Sequence, residues 1–243
     1  MSALTIFVAG ASLRAQLDRP PVPSSSLPRK NYLFPAQDLG LLEGPDRAQW
    51  QPPESIMDAL NIFDGAVVAD LGAGGGWFSV RLARRVGPNG IVYAEDIQSQ
   101  MLELIRRRAE RDNLRNIRTV LGTPSDPRLP QGVDAVLIVD AYREMACSAA
   151  PSCDHPMALL KTIERALKPK GRLGVVDFNP GGGGPGPSAE LRIDPESVIQ
   201  AASEAGLSLV KRESIAPYQF QYLLVFEKVS SAEHSGSSRP AVR

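Results

Sequence analysis

The chain has 243 residues, 43% of them hydrophobic, and its 27 Lys and Arg balance its 27 Asp and Glu. That length suffices for one α/β domain with a sizeable core plus irregular ends, and zero net charge excludes the global basic field that draws proteins to nucleic acid. Two cysteines, Cys147 and Cys153, exclude a disulfide framework, and no apolar run is long enough to span a bilayer as a helix.

Leu4 to Ala11 is a short apolar run followed by Ala15-Gln16, which could pass for a cleavage site. No basic residue precedes the run, and Leu13 is large for the small-residue position, so an atypical export signal is the minor reading. Residues 18 to 53 are rich in proline and serine. Residues 1–45 are therefore expected to be an extended or disordered arm, 46–229 a folded domain and 230–243 a disordered polar tail. Pro52-Pro53 should open a helix over Glu54–Phe63, with Ile56, Ala59, Leu60 and Phe63 on one face.

Strands and helices then alternate. The spacing predicts a strand over Ala66–Leu71, a helix over Gly76–Val86 facing inward through Trp77, Val80, Leu82 and Ala83, and a second strand over Ile91–Glu95 ending at Asp96. A helix over Gln98–Asp112 carries Met101, Leu102, Ile105 and Ala109 as its apolar stripe. Its Arg106-Arg107-Arg108 run, with Glu103 and Glu110 nearby, reads as a solvated face. Strands over Ile117–Leu121 and Val133–Val139 follow, then a helix over Pro156–Leu167 closed by Lys168-Pro169-Lys170-Gly171, and a strand over Arg172–Phe178. Pro180 to Pro187 is a glycine-rich loop. Asp194 should cap a helix that starts at Pro195, and Leu207–Glu213 with Gln219–Lys228 should close the fold as an antiparallel pair. Repeated β-α units make a mostly parallel sheet with helices on both faces, which binds ligands outside the carboxyl ends of its strands.

The stretch Val67-Val68-Ala69-Asp70-Leu71-Gly72-Ala73-Gly74-Gly75-Gly76 is a buried strand that ends in a carboxylate and breaks into glycines. The dinucleotide pattern G-x-G-x-x-G fails here, because counting from Gly72 puts Trp77 at the third glycine. A carboxylate beside the turn would also repel a pyrophosphate, which disfavours a nicotinamide oxidoreductase. Asp70-Leu71-Gly72-Ala73-Gly74 instead forms D-x-G-x-G. It resembles the first motif of the class I S-adenosylmethionine-dependent methyltransferases, and the segment from Leu159 through Leu173 also looks like that family.

The resemblance implies a Rossmann-like, mostly parallel seven-stranded sheet with an antiparallel final strand, S-adenosyl-L-methionine as cofactor, and transfer of its methyl group. It implies that Asp70, Gly72, Ala73 and Gly74 hold the cofactor. Asp96, 24 residues beyond Gly72, would bind the ribose, with Ile97 on adenine and Met101 beside them. Asp96 as a simple helix cap stays open, and period-2 alternation would send the rival acid Glu95 to the other face. Thr123, Ser125 and Asp126 are adenine-side candidates, with a turn held by Ser125 and Asp126 as the other reading.

The resemblance also places Asp140 against the cofactor and Tyr142, Arg143 and Glu144 near the acceptor, with Tyr142 or Glu144 orienting or deprotonating it. Related sequences often carry a histidine near the place of Arg143. Arginine cannot act as a base at ordinary pH, but it could bind an anionic acceptor group. Within the family, the ubiquinone/menaquinone-biosynthesis type and its small-molecule relatives are nearest.

The expectation is a cytoplasmic enzyme acting on a small-molecule acceptor, without a nucleic-acid partner or a metal. Two alternatives stay open. One is a non-catalytic binding or partner protein on the same fold; the other is an arsenite-methyltransferase-like activity using Cys147 and Cys153, with His155 close by. Trp50 is either part of a lid over the cofactor or an anchor for the arm.

Overall fold

In a computed structural model of the chain, the described residues are 33–145, 155–181 and 183–229. The strands are β1 (Val67–Leu71), β2 (Ile91–Asp96), β3 (Ile117–Leu121), β4 (Val133–Val139), β5 (Leu167–Phe178), β6 (Leu207–Ser214) and β7 (Gln221–Lys228). The helices are α1 (Leu39–Leu42), α2 (Arg47–Trp50), α3 (Pro53–Ala59), α4 (Trp77–Arg85), α5 (Ser99–Arg111), α6 (Tyr142–Met145), α7 (His155–Ala166) and α8 (Pro195–Glu204). The strands form one seven-stranded sheet in the order β3-β2-β1-β4-β5-β7-β6. β1, β2, β3, β4 and β5 run parallel, and β7 pairs antiparallel with both β5 and β6.

β1 and β4 read as continuous apolar runs because helices cover both faces of a parallel sheet. β4 shows the alternation. Ala135, Leu137 and Val139 face a layer with Ile56, Leu60, Phe78 and Leu82, while Val136 and Ile138 face Leu160, Ile163 and Val198. The expected inward residues of α4 and α5 are all buried. Each large aliphatic chain so buried contributes about 1.5–3 kcal/mol. Asp194 caps α8 as expected, its carboxylate accepting from the Glu196 N–H with Pro195 in the first turn.

Three departures matter for the site. First, α3 stops at Ala59 rather than Phe63. Asn61 turns left-handed at φ 57°, and the Ile62 N–H reaches back to the Met57 carbonyl at 3.1 Å, a helix-closing bond that leaves Phe63 53% exposed. Second, the arm expected to run extended through residue 45 is partly helical, with a 3-10 turn at Ala36–Asp38 followed by α1. It lies on the glycine turn: a Cβ placed on Gly75 would come 3.1 Å from the Leu39 Cδ1 and 2.6 Å from the Glu43 Oε1. Third, Arg108 is not part of a solvated face, because both of its terminal nitrogens donate to Glu43. Arg106 and Arg107 do pair with Glu103 in the open.

β5 also begins earlier than expected. Leu167 pairs with Val133, and after an irregular step Arg172 resumes the ladder opposite Ala135. Residues 1–32, Cys147 and Cys153 lie outside the described residues, as do the export-signal and thiol readings that rest on them. Among the described residues no helix is long and apolar enough to cross a membrane.

Candidate functional site

The sheet order reverses direction between β1 and β4, and the glycine turn leaves β1 at that switch point. Gly72 has φ +66°, and a Cβ there would lie 2.6 Å from the Ala141 Cβ and 3.0 Å from the Met145 Cε. Glycine is required both by the backbone conformation and by the close approach of α6.

The N–H groups of the turn point to the end of β2. Gly72 N–H donates to the Glu95 Oε2 at 3.4 Å, Ala73 N–H to the Glu95 carbonyl at 2.9 Å, and Gly74 N–H to the Asp96 Oδ2 at 3.0 Å. A phosphate arriving at this turn would meet donors already engaged and the Asp96 carboxylate beside them, which is a physical reason why the turn does not suit a dinucleotide.

Asp96 caps α5 and also braces the glycine turn. One oxygen accepts from Gly74 N–H and the other caps α5 through Gln98 N–H at 2.8 Å. Ile97 beside it is half-buried and Met101 is buried beneath. Glu95 lies against the turn. A Cβ on Gly122 would fall 1.8 Å from the Glu95 Oε1, so the glycine just after β3 makes room for this carboxyl. Burial pushes Glu95 up to about 8, aided by Asp96, Asp70 and Asp126 and opposed by the Gly72 N–H.

Asp70 is buried at the end of β1. Burial pushes it up to about 6, against a 2.6 Å hydrogen bond from the Ser79 hydroxyl and the charge of Arg47. Thr123 and Asp126 are bound into a turn, with Thr123 N–H to the Asp126 carbonyl at 2.8 Å and the Asp126 side chain accepting from Arg128 N–H. Ser125 sits half-buried within it.

After β4 the backbone turns sharply at Asp140, which has φ 58°. Its carboxylate accepts from Gln51 Nε2 at 3.0 Å, from Gln221 Nε2 at 2.5 Å and from Arg47 Nη2 at 3.4 Å. Gln51 and Gln221 also bond each other at 2.8 Å, and Arg47 Nε donates to the Gln51 Oε1 at 2.7 Å. Arg47, Gln51 and Gln221 are buried, and none of them was visible as a site residue in the sequence. The Arg47 guanidinium lies 4.4 Å from the centre of the Trp77 ring, the residue that follows the glycines.

Tyr142 is buried in the core against α7. Burial pushes its phenol up to about 12, which makes it a donor rather than a proton acceptor near neutral pH. Glu144 pairs with Arg143 at 3.3 Å. Burial raises the Glu144 carboxyl, Arg143 lowers it and Asp96 raises it. Asp177, near the end of β5, was also not anticipated. It is buried, its Oδ1 accepts from Phe178 N–H at 2.8 Å, and its Oδ2 has no hydrogen-bond partner among the described residues. Burial and Asp140 push it up to about 7.

Trp50 lies 6.0 Å from Phe178 between ring centres, so it docks the arm on the end of β5. Carboxylates thus gather at the carboxyl ends of β1, β2, β4 and β5. Such a cluster favours a cationic ligand and disfavours an anionic one.

Comparison with known proteins supports the same class. Residues 68–171 match the family described as a methyltransferase domain. A protein-L-isoaspartate O-methyltransferase of Methanothrix thermoacetophila is 35% identical over 119 residues, 49% of this chain and 50% of that one. A ubiquinone/menaquinone biosynthesis C-methyltransferase of Haemophilus ducreyi is 34% identical over 130 residues, 51% of this chain and 45% of that one. The chain thus spans about half the length of the curated relatives it matches. A structure titled as a SAM-dependent methyltransferase from Aquifex aeolicus superposes with a TM-score of 0.72 at 22% identity, covering 81% of this chain and all of that one. The matched segment is thus that of a methyltransferase domain, and the fold is the one this Aquifex aeolicus protein has.

Proposed function

We propose that this chain transfers the methyl group of S-adenosylmethionine to a small-molecule acceptor. The observation that carries the proposal is the glycine turn at the sheet's switch point with Asp96 fixed against it. One carboxylate there is tied to the turn at Gly74 and to the start of α5 at Gln98.

The residues present fit the cofactor. Gly72, Ala73 and Gly74 leave a surface without bulky side chains, Asp96 offers acceptors for ribose hydroxyls, and Ile97 offers an apolar flank for adenine. Thr123, Ser125 and Asp126 close the adenine side, and Met101 supports the floor. The carboxylate cluster around Asp70 and Asp140 suits a ligand bearing an ammonium and a sulfonium. When bound, the cofactor supplies a methyl group already activated by its sulfonium. The chain's own work is then to align the acceptor and exclude water. α6 does this by carrying Tyr142, a buried hydroxyl donor, and the Arg143–Glu144 pair next to the turn. Arg143 would orient an anionic group on the acceptor, and Glu144 would orient or deprotonate it. A cytoplasmic location suits the supply of this cofactor.

Calorimetric titration with S-adenosylmethionine and S-adenosylhomocysteine should show micromolar binding of both. Asp96→Ala should weaken both by ten-fold or more, in line with loss of hydrogen bonds to a charged group. Binding of NAD instead, or unchanged affinity in the variant, would sink the assignment. Turnover of an acceptor separates an enzyme from a non-catalytic binder on the same fold.

A further inference from the structure

The acids at the carboxyl end of the sheet are not equally engaged. Asp140 accepts from Gln51, Gln221 and Arg47, Asp70 from Ser79, and Asp96 from the Gly74 and Gln98 N–H groups. Glu144 pairs with Arg143. Asp177, 2% exposed near the end of β5, spends one oxygen on the Phe178 N–H and has no hydrogen-bond partner for the other among the described residues. Tyr222 stands opposite it on β7, but its hydroxyl donates to the Ile193 carbonyl. The charge and the N–H of Arg143 both act on the Asp177 carboxyl, yet neither makes a hydrogen bond to Oδ2. A buried acceptor left unmatched is costly and rare in folded proteins.

The strand order says what lies nearby. β2 carries Asp96, β1 the glycine turn, and β4 and β5 follow across the sheet. A ligand with its ribose at Asp96 that crosses the turn extends its other end toward β4, and β5 is the next strand beyond. The Asp140 N–H binds the Val176 carbonyl at 2.9 Å, so Asp177 stands directly beside the end of β4. α6 follows β4 and sets the Arg143 charge against the same carboxyl.

We infer that Asp177 is the base that takes the acceptor's proton, and that the acceptor presents a phenolic or enolic hydroxyl. This rests on the proposed function and leaves Glu144 an orienting role. The hydroxyl proton passes to Asp177 Oδ2, an oxygen electron pair forms the new O–CH3 bond, and the S–CH3 bond breaks with its pair left on sulfur. One carboxylate charge and one sulfonium charge disappear together, so the step balances. Arg143 favours the developing oxyanion and disfavours an ammonium acceptor. Burial and Asp140 hold the Asp177 carboxyl at about 7, against the Phe178 N–H and Arg143, and a base of that strength suits a weakly acidic hydroxyl near neutral pH. Among the described residues the titratable and charged groups set around it are Asp140 after β4, Tyr142 and Arg143 on α6, and Tyr222 on β7. Oδ2 is shut off from solvent, so the acceptor enters by shifting α6, a helix of four residues.

The test uses the full chain with S-adenosylmethionine and four probe acceptors, catechol, hydroquinone, 4-nitrophenol and benzylamine, read as S-adenosylhomocysteine release. At least one phenol should turn over and the amine should not. The wild-type kcat should rise with pH through about 7 and then level, because the base must be ionised. Asp177→Asn should lower kcat by about 100- to 10,000-fold and abolish that rise, with S-adenosylmethionine affinity unchanged by calorimetry. Asp177→Glu should recover part of the rate, and Glu144→Gln should keep the rise whatever its effect on the rate.

A wild-type kcat in Asp177→Asn, a slowed variant that keeps the rise, or loss of the rise in Glu144→Gln would overturn the inference. So would turnover of benzylamine alone, or of no probe by a protein that binds S-adenosylmethionine. Should Asp177→Asn fail to fold, the Asp177→Glu rate and the Glu144→Gln profile decide. Failure of the wild type to bind S-adenosylmethionine would overturn the cofactor reading itself, a result distinct from all of these.

Discussion

Replacing Glu95 with glutamine should stabilise the ligand-free protein, increasingly as pH rises from about 4.5 to about 8. Glu95 is 2% exposed, and its carboxyl is pushed from 4.5 up to about 8 by burial first, then by Asp96, Asp70 and Asp126. The folded protein therefore holds this proton more tightly than the unfolded chain does. The stability linked to Glu95 is fully present below pH 4.5 and is lost as pH rises through 8. A tenfold change in proton affinity corresponds to about 1.4 kcal/mol, so the ionised group should cost the fold up to about 5 kcal/mol by pH 9. Glutamine keeps the shape, and its carbonyl can still accept from Gly72 N–H, but it never ionises. Urea unfolding of both proteins at about pH 5, 7 and 9, followed by circular dichroism, should give curves that diverge in favour of Glu95→Gln as pH rises. Parallel curves over that window, or divergence in the opposite direction, would refute the reasoning.

Other substitutions test the neighbouring elements. Gly72→Ala forces a Cβ onto a residue at φ +66° and into the Ala141 methyl; it should cost about 2–4 kcal/mol and remove S-adenosylmethionine binding, as read by a thermal melt and calorimetry. A variant that melts and binds like the wild type would show that α6 yields easily. Asp194→Ala removes the cap on α8 and should lower stability by about 1 kcal/mol without changing cofactor affinity; a drop in affinity would reveal coupling between α8 and the site.

Much of the fold was legible because periodicity and turn chemistry agreed along the chain. Val133–Val139 could only be a buried strand, and the glycines after Asp70 could only be a turn. Asp96 was legible because a strand end and a helix start bracket it. The Asp140 network was not, since Arg47, Gln51 and Gln221 lie 93, 89 and 81 residues from it in sequence. No local pattern marks such partners.

Period-2 alternation gives the face of Glu95 but not the reach of its carboxyl back to the Gly72 N–H. Gly122 was the available signal, a small residue set where the carboxyl needs room. The arm hid α1 and α2 because its proline- and serine-rich composition masks short helices whose stability comes from docking. The spacing of Phe63 fits a helix face, but Asn61 turns left-handed two residues earlier and closes the helix.

Gln221 begins β7, close to the carboxyl end of the described chain, and yet it donates to Asp140 and accepts from Gln51. A chain emerging from the ribosome can form β1, the glycine turn and β2 long before Gln221 is available. Until then Asp140, just after β4, lacks one of its polar partners, and Gln51, at the end of α2, lacks another. The order of synthesis thus delays completion of the Asp140 network until β7 has paired with β5. A nascent or prematurely terminated chain would hold β1, the glycine turn and β2 with the Asp140 network unfinished.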